Sequence, residues 1–297
     1  MGVRTLVLGG YGAVGAPLVA LLGARSAGRD GARADVAVDL TEPGLTGYRA
    51  AVRGADVVVN ASGREDPALA AVASAEGAAF VDVTATSSYV EELGRLDVAG
   101  PVLLSVGLAP GLTTLLGAAV ATGGEPIDIG VVLGTGDGHG VAATSWTYGL
   151  VGRRFADPGT GAPVRNLAPG AVFDLPTGRR RLLRADFADQ HVLSADLGVP
   201  VRAHLALTSR VATAALAAAG RLPGLARVPA VHLPGSTAWV AVARAGGRTL
   251  WRTGRDQSRG TATIAALAAR HAADLPAGVH HLHRVTDLAA ADDALTR

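Results

Sequence analysis

Cysteine and lysine are both missing from this chain of 297 residues, and all 27 of its basic residues are arginine. Without cysteine there is no disulfide, no thiolate metal site and no thiol nucleophile. Without lysine there is no Schiff-base chemistry and no Tyr-x-x-x-Lys proton relay. No apolar run reaches the roughly 18 residues that a bilayer-crossing helix needs. No basic-then-apolar leader precedes the first strand. The expectation is a soluble, cytoplasmic protein with no membrane partner. The 27 arginines are nearly balanced by 25 acids, for a formal charge of +2, so nucleic acid is not expected as a partner either. What the chain does have is apolar residues, 49% of the total, enough to build a sizeable core in two intimate domains.

The opening carries the most information. Val3 to Leu8 is a short, mostly apolar run of strand length, followed at once by Gly9-Gly10-Tyr11-Gly12-Ala13-Val14-Gly15 and then by an Ala/Leu-rich helical stretch, Ala16 to Ala24. Strand, glycine turn and helix are the context that a G-x-G-x-x-G pattern requires. Gly10 permits the turn, Gly12 lets a pyrophosphate approach the backbone, and Gly15 lets helix and strand pack closely. The phosphates would rest on the N–H groups of the helix N-terminus, alongside Tyr11, Ala13 and Val14.

Further strands are expected at Ala34–Asp39, Asp56–Val59, Phe80–Val83 and Val102–Val106, with a helix at Pro67–Gly77 between two of them. This alternation predicts an α/β fold with a doubly wound parallel sheet. Ligands bind such sheets beyond the carboxyl ends of the strands. The candidates there are Asp39, Asn60, Ala61, Ser62, Asp82, Thr84, Gly107, Pro110 and Gly111. Asp39, closing the expected second strand, is the candidate acceptor for the adenosine ribose hydroxyls, which favours NAD over NADP. The alternative is a turn aspartate capping the next element. Thr113 or Thr114 is expected to cap a helix running to Val120.

Past Gly123-Gly124 the pattern changes. Ile127, Ile129, Val131 and Leu133 alternate, as do Val201, Ala203, Leu205 and Leu207 and the segment Trp239–Ala243, which suggests mixed or antiparallel strands with one buried face. Helices are expected at Val141–Gly152, Ser209–Ala219 and Thr261–Ala273. Residues 157–178, dense in Gly and Pro, read as loop or cover. The domains expected are 1–120 for dinucleotide binding and 121–259 for substrate and dimerisation. A homodimer through the second sheet is expected from its apolar content.

The ordered segments Gly9–Gly15, Val58–Gly63 (VVNASG), Phe80–Thr84 (FVDVT) and Gly107–Thr113 (GLAPGLT) resemble the saccharopine dehydrogenase-like family, as does the tail, where Thr261-Ala262 opens a helix and Gly278-Val279 follows. The resemblance covers the first 120 residues and, more loosely, the last 40. It implies a Rossmann dinucleotide-binding domain interrupted by an inserted α+β substrate domain, with residues 260–297 returning to the first. The chain departs from the large saccharopine enzymes in its shorter length and its lack of lysine.

Hydride transfer needs a cofactor face, a positioned acceptor and usually one proton donor. In Gly134-Thr-Gly-Asp137-Gly-His139-Gly, His139 is the candidate donor, with Asp137 tuning it; the alternative is a plain turn. Trp146 and Tyr148 follow, Tyr148 as a second candidate donor or as core. Arg179, Arg180, Arg181 and Arg184 form the densest basic cluster, able to clamp a carboxylate or meet an acidic carrier, or else a solvated strand face. Arg153 and Arg154 suit a helix C-terminus. His280, His281 and His283 lack a carboxylate and a settled face, so no metal is expected; His191 and His204 are not distinctive, His204 facing away from its strand's apolar side. The function expected is an NAD(P)-dependent oxidoreductase acting on a C=N or C=O group of a small or carrier-bound metabolite. The alternatives are an enoyl (C=C) reductase and a non-redox dinucleotide-binding protein or cyclase.

Overall fold

The computed structural model of the chain describes residues 2–136, 146–221 and 235–297. It divides into two compact units, one formed by residues 1–107 with 258–297 and the other by residues 108–257.

The first unit is built on seven parallel strands: β1 (Thr5–Leu8), β2 (Arg25–Gly28), β3 (Val36–Ala37), β4 (Val57–Asn60), β5 (Ala79–Asp82), β6 (Pro101–Leu104) and β15 (Gly278–His281). They lie in the order β15-β6-β5-β4-β1-β2-β3. The chain starts in the middle, winds outward to β3, and returns across β1 to continue the other way through β4. That reversal is the topological switch point of a Rossmann sheet. Strands β1, β4 and β5 are buried at every position. Helices α1 (Gly15–Leu22), α2 (Thr46–Val52), α3 (Pro67–Ala75) and α4 (Ser87–Gly94) connect the strands. Strands covered on both faces need no polar alternation, which is why Val57-Val58-Val59 reads as a continuous apolar run. Asp66 caps α3 by accepting the Ala68 N–H at 3.1 Å, with Pro67 at the first helical position. The C-terminal segment belongs here too: α8 (Gln257–Ala272) leads to β15, which pairs with β6, and α9 (Leu288–Thr296) ends the chain. Arg270 on α8 donates to the Leu21 carbonyl of α1 at 3.1 Å.

One strand differs from expectation. The neighbour of β1 is Arg25–Gly28, and only Val36–Ala37 of the expected Ala34–Asp39 is extended, as the edge strand β3. Arg-Ser-Ala-Gly has no β-branched residue, so its propensity is poor, but its small side chains are what the site tolerates. A Cβ on Gly10 would already come within 2.5 Å of the Ser26 Cβ, and one on Gly28 would run into the Tyr11 ring. Asp35 fastens the start of β2, accepting the Ser26 N–H and hydroxyl at 2.8 Å each.

The second unit holds a six-stranded sheet in the order β10-β11-β12-β7-β13-β14. Its strands are β7 (Ile127–Leu133), β10 (Gly170–Leu175), β11 (Gly178–Arg184), β12 (Val201–Leu207), β13 (Ala238–Ala245) and β14 (Arg248–Arg255). Among the described strands only β7 and β12 pair in parallel. A separate hairpin joins β8 (Arg154–Ala156) to β9 (Pro163–Arg165). The stretch 157–178, read from sequence as loop, thus contains β9 and β10; turn-forming Gly and Pro there separate short strands rather than replace them. The central strands β7 and β12 are buried on nearly all positions of both faces, not one. His204, expected to face away from the apolar side, is 2% exposed, its ring 5.1 Å from that of Phe173 and its Nδ1 3.1 Å from the Ile129 carbonyl oxygen. Burial lowers its pKa to about 4. Helix α5 (Leu112–Val120) packs on β7 and β13, so the boundary expected at 120 lies at 107/108 in the compact units. Thr114 Oγ1 accepts the Gly111 N–H at 3.0 Å and caps α5, while Thr113 instead donates to Asp189 at 2.6 Å. Asp189 opens α6 (Ala188–Leu197), and α7 (Arg210–Arg221) follows β12.

A Cβ on Gly15 would overlap the carbonyl of Gly9, backbone against backbone, where neither side can move cheaply. Helix propensity alone predicts that Gly15→Ala stabilises α1 by about 1 kcal/mol. The packing predicts the opposite sign, a loss of about 2 kcal/mol or more in urea denaturation. A stabilised variant would contradict the packing.

Candidate functional site

Because all seven strands of the first unit run the same way, their carboxyl ends share one edge. The loops leaving β1, β2, β4 and β5 gather there. At the switch point the turns after β1 and β4 nearly touch: Gly9 has φ +72° and a Cβ on it would come within 2.7 Å of the Ser62 Cα. The Gly9 and Gly10 N–H groups both bond the Ala27 carbonyl, at 2.8 and 3.2 Å, and the Gly12 N–H folds back on Gly9 O at 2.8 Å. The turn is therefore pinned to β2 on one side and packed against β4 on the other. Gly12 is different: a Cβ there would meet only the Gly9 carbonyl, at 3.1 Å. Its outer face is open. No side chain caps α1, whose N-cap is Val14 and whose first turn carries no acid. Free N–H groups at a helix N-terminus, beside a backbone bare of side chains, form an anion site. The expected set Gly10, Tyr11, Gly12, Ala13, Val14 and Gly15 is thus brought together, and its shape fits a diphosphate.

The end of β2 was misread from sequence, and the residues there matter. Arg29, Asp30 and Arg33 follow β2 directly. The Tyr11 ring lies on Gly28, its Oη accepts the Asp30 N–H at 3.3 Å, and the Arg33 guanidinium stands 4.3 Å from the ring centroid. Arg29 and Arg33 therefore stand at the carboxyl edge. Asp39 is displaced correspondingly: it follows β3, one strand further out, and its Oδ1 accepts the N–H and hydroxyl of Thr41 at 2.9 and 2.7 Å. Those bonds, with the charges of Arg29 and Arg64, hold its carboxyl below the ordinary range. The turn-capping alternative describes Asp39 well. The sequence signal for the right place was spacing, since the acid of a dinucleotide fingerprint falls about 20 residues along and Asp30 sits at that interval from Gly10.

Asn60 and Asp82 turn inward. The Asn60 side chain donates to Asp82 Oδ2 at 2.8 Å and to the Arg64 carbonyl at 2.9 Å, and its Oδ1 accepts from Ser62 N–H and Oγ at 3.2 and 2.6 Å. Asp82 also accepts from Tyr89 Oη at 3.2 Å and the Thr84 N–H at 2.8 Å. Thr84 and Thr86 both donate to Glu65, at 2.6 and 2.5 Å. This network ties the loops after β4 and β5 together beneath the edge. Ala61 and Ser62 remain half-buried at the crossing point. Complete burial pushes the Asp82 carboxyl up to about 6, against the opposing pull of its hydrogen-bond donors.

Of the remaining candidates, Gly107 ends the first unit, and Pro110 and Gly111 begin the second. Asp137 and His139 lie outside the described residues. Trp146 packs on Phe187, ring centroids 4.6 Å apart, while Tyr148 is 37% exposed. His281 Nδ1 lies 3.1 Å from Ser105 Oγ, and His280 Nε2 bonds the Pro276 carbonyl at 2.8 Å. In the second unit Arg184 and Asp157 form a buried pair at 2.9 Å, and His191 sits 2.7 Å from Asp186. Among the described residues no helix is long and apolar enough to cross a membrane.

No protein-family model matches the chain, and no curated protein matches it. Solved structures do. A homospermidine synthase from Legionella pneumophila, in complex with NAD, superposes with a TM-score of 0.70 at 13% identity, over 100% of this chain and 89% of that one. An amine dehydrogenase from Mycobacterium smegmatis superposes with a TM-score of 0.52 at 13% identity, over 97% of both chains. At that identity the likeness shows the fold: a parallel Rossmann sheet with a second, mixed-sheet domain.

The Asp82 carboxyl binds its proton more tightly folded than unfolded, so it lowers stability as pH rises from about 4 through 6. Asp82→Asn removes that titration. The stability of the variant relative to the parent is expected to rise by about 3 kcal/mol between pH 4 and pH 7 in urea denaturation, at about 1.4 kcal/mol per unit. A constant difference across that range would show that Asp82 is not the buried acid described.

Proposed function

We propose that this chain is a dinucleotide-dependent oxidoreductase of the saccharopine dehydrogenase-like kind, that it prefers NADP, and that it acts on a C=N or C=O group of a small or carrier-bound metabolite. The observation that carries the reading is the carboxyl edge around β1. An uncapped helix N-terminus and the bare backbone at Gly12 stand beside two arginines that follow β2. The names of the two structural neighbours, one a synthase of homospermidine and one a dehydrogenase of amines, favour carbon–nitrogen substrates.

The residues divide the work. The N–H groups at the start of α1 would hold the diphosphate, with its negative charge at the positive end of the helix. Gly15 keeps α1 close enough to β1 for that helix end to face the edge. Arg29 and Arg33 would receive a 2′-phosphate, since a guanidinium fork matches phosphate geometry and an acid alone would repel it. The Tyr11 ring, stacked under Arg33, orients that guanidinium. The Asn60–Asp82–Tyr89 network fixes the loops after β4 and β5, so the crevice is preorganised rather than assembled on binding. When bound, the nicotinamide supplies or accepts the hydride. Proton delivery is assigned to His139 with Asp137, and otherwise to Tyr148.

The test separates binding from preference. Gly12→Trp, which fills the open face over the turn, is expected to abolish NADPH fluorescence enhancement. Arg29→Ala with Arg33→Ala is expected to weaken NADPH at least about tenfold while leaving NADH within about twofold. Equal losses for both dinucleotides would contradict the 2′-phosphate role, and unchanged NADPH binding by Gly12→Trp would contradict the site itself. NADPH consumption against imine, keto and enoyl panels then distinguishes the substrate class.

A further inference from the structure

Several arginines of this chain are met by acids. Arg4 pairs with Asp56, Arg49 with Glu76, Arg64 with Asp66 and Arg244 with Asp128, all at 2.8–3.0 Å. Four are not. Arg180 and Arg181 on β11, with Arg210 and Arg221 at the two ends of α7, line a groove of about 460 Å³ wholly within the second unit. The guanidinium partners of three of them are backbone carbonyls. Arg180 donates to Leu207 O at 2.7 Å and to Thr208 O at 3.1 and 3.2 Å. Arg210 donates to Arg179 O at 3.2 Å, and Arg221 to Ala217 O at 2.9 Å and Ala168 O at 2.5 Å. Carbonyls orient a guanidinium without neutralising it. Among the described residues none of the four has a carboxylate in salt-bridge range.

In a chain whose charges otherwise balance, four clustered cations of one sign repel one another. Partial burial and the nearby charge of Arg210 lower the pKa of Arg180. A solvated arginine face would let these side chains spread apart. Here three of the four are held in place by carbonyls from the end of β12, the start of β11, the last turn of α7 and Ala168, and all four line one groove. Between them the floor is apolar, made by Leu183, Ala214, Ala217 and Ala218. Guanidinium forks match phosphate oxygens bidentately, and a groove of this size accommodates a small molecule rather than a bare ion.

We propose that this groove binds a phosphorylated small molecule whose apolar portion lies along the alanine floor, with its phosphate or diphosphate held by Arg180, Arg181, Arg210 and Arg221. The site does not depend on the dinucleotide reading of the first unit, and a test can keep the two apart.

The probe is n-hexyl diphosphate, titrated calorimetrically into the full chain in millimolar NADP, with inorganic pyrophosphate as the charge-only comparison. The alkyl chain is expected to tighten binding about tenfold over pyrophosphate, and added salt to weaken both. Ala214 and Ala215 are neighbouring exposed positions of α7, of which only Ala214 lines the groove. Ala214→Glu, which supplies a counter-charge one turn from Arg210, is expected to abolish binding; Ala215→Glu is expected to leave it within about twofold. Arg181→Gln, which breaks no side-chain hydrogen bond among the described residues, is expected to weaken it about threefold or more. No heat from the probe up to millimolar concentration would overturn the proposal. So would equal losses in the two glutamate variants, or pyrophosphate binding as tightly as the alkyl compound.

Discussion

The close approach of three pieces of backbone at the switch point governs the first unit. The carbonyl of Gly9 lies where a Cβ of Gly15 would be, and the Cα of Ser62 lies within 2.7 Å of where a Cβ of Gly9 would be. Strand β1 can leave the sheet, turn and feed α1 only if those positions carry no side chains. That one steric demand has three consequences. It brings the N-terminus of α1 over the carboxyl edge, it presses the turn onto Ser26 and Gly28 so that β2 must be built of small residues, and it leaves the outer face of Gly12 bare.

Electrostatics follows from the same geometry. With all strands parallel, every loop at the carboxyl edge shares one surface, and the positive end of α1 sits among Arg29, Arg33 and Arg64 with Asp30, Asp39 and Asp66 interleaved. The acids are largely engaged by their own backbone turns: Asp39 by Thr41, Asp66 by Ala68, Asp30 by the Ala32 N–H at 3.0 Å. Arg64 is paired with Asp66 at 3.0 Å, whereas Arg29 and Arg33 have no carboxylate in salt-bridge range among the described residues and can turn toward an anion. Below the edge, the buried Asp82 is fully occupied by Asn60, Tyr89 and Thr84 and acts as a brace.

Local signals carried the sequence reading where interactions are local. A strand, a glycine turn and a helix in succession need nothing beyond nearest neighbours, and β1, α1, β4 and β5 fall within a few residues of expectation. Strand β2 escaped because its formation depends on what rests against it, not on its own propensity; Val36 and Ala37, with better propensity, became the edge strand, and Asp39 went with them. The hairpins in 157–178 escaped because Gly and Pro were read as loop where they are the turns between strands. His204 looked polar-facing because β12 alternates, whereas both faces of that strand are covered. No spacing in the sequence pairs Thr113 with Asp189 or assembles the groove of Arg180, Arg181, Arg210 and Arg221, since each is made by elements that meet only after the second sheet forms.

The central claim is that the turn at Gly9–Gly15 receives a diphosphate and that the arginines after β2 receive the phosphate on the adenosine ribose. The most direct measurement is a crystal structure of the full chain grown with NADP. The account predicts diphosphate oxygens within about 3 Å of the N–H groups at the start of α1 and the 2′-phosphate against the guanidinium of Arg29 or Arg33. A dinucleotide bound elsewhere, or bound here with its 2′-phosphate turned away from both arginines, would contradict it.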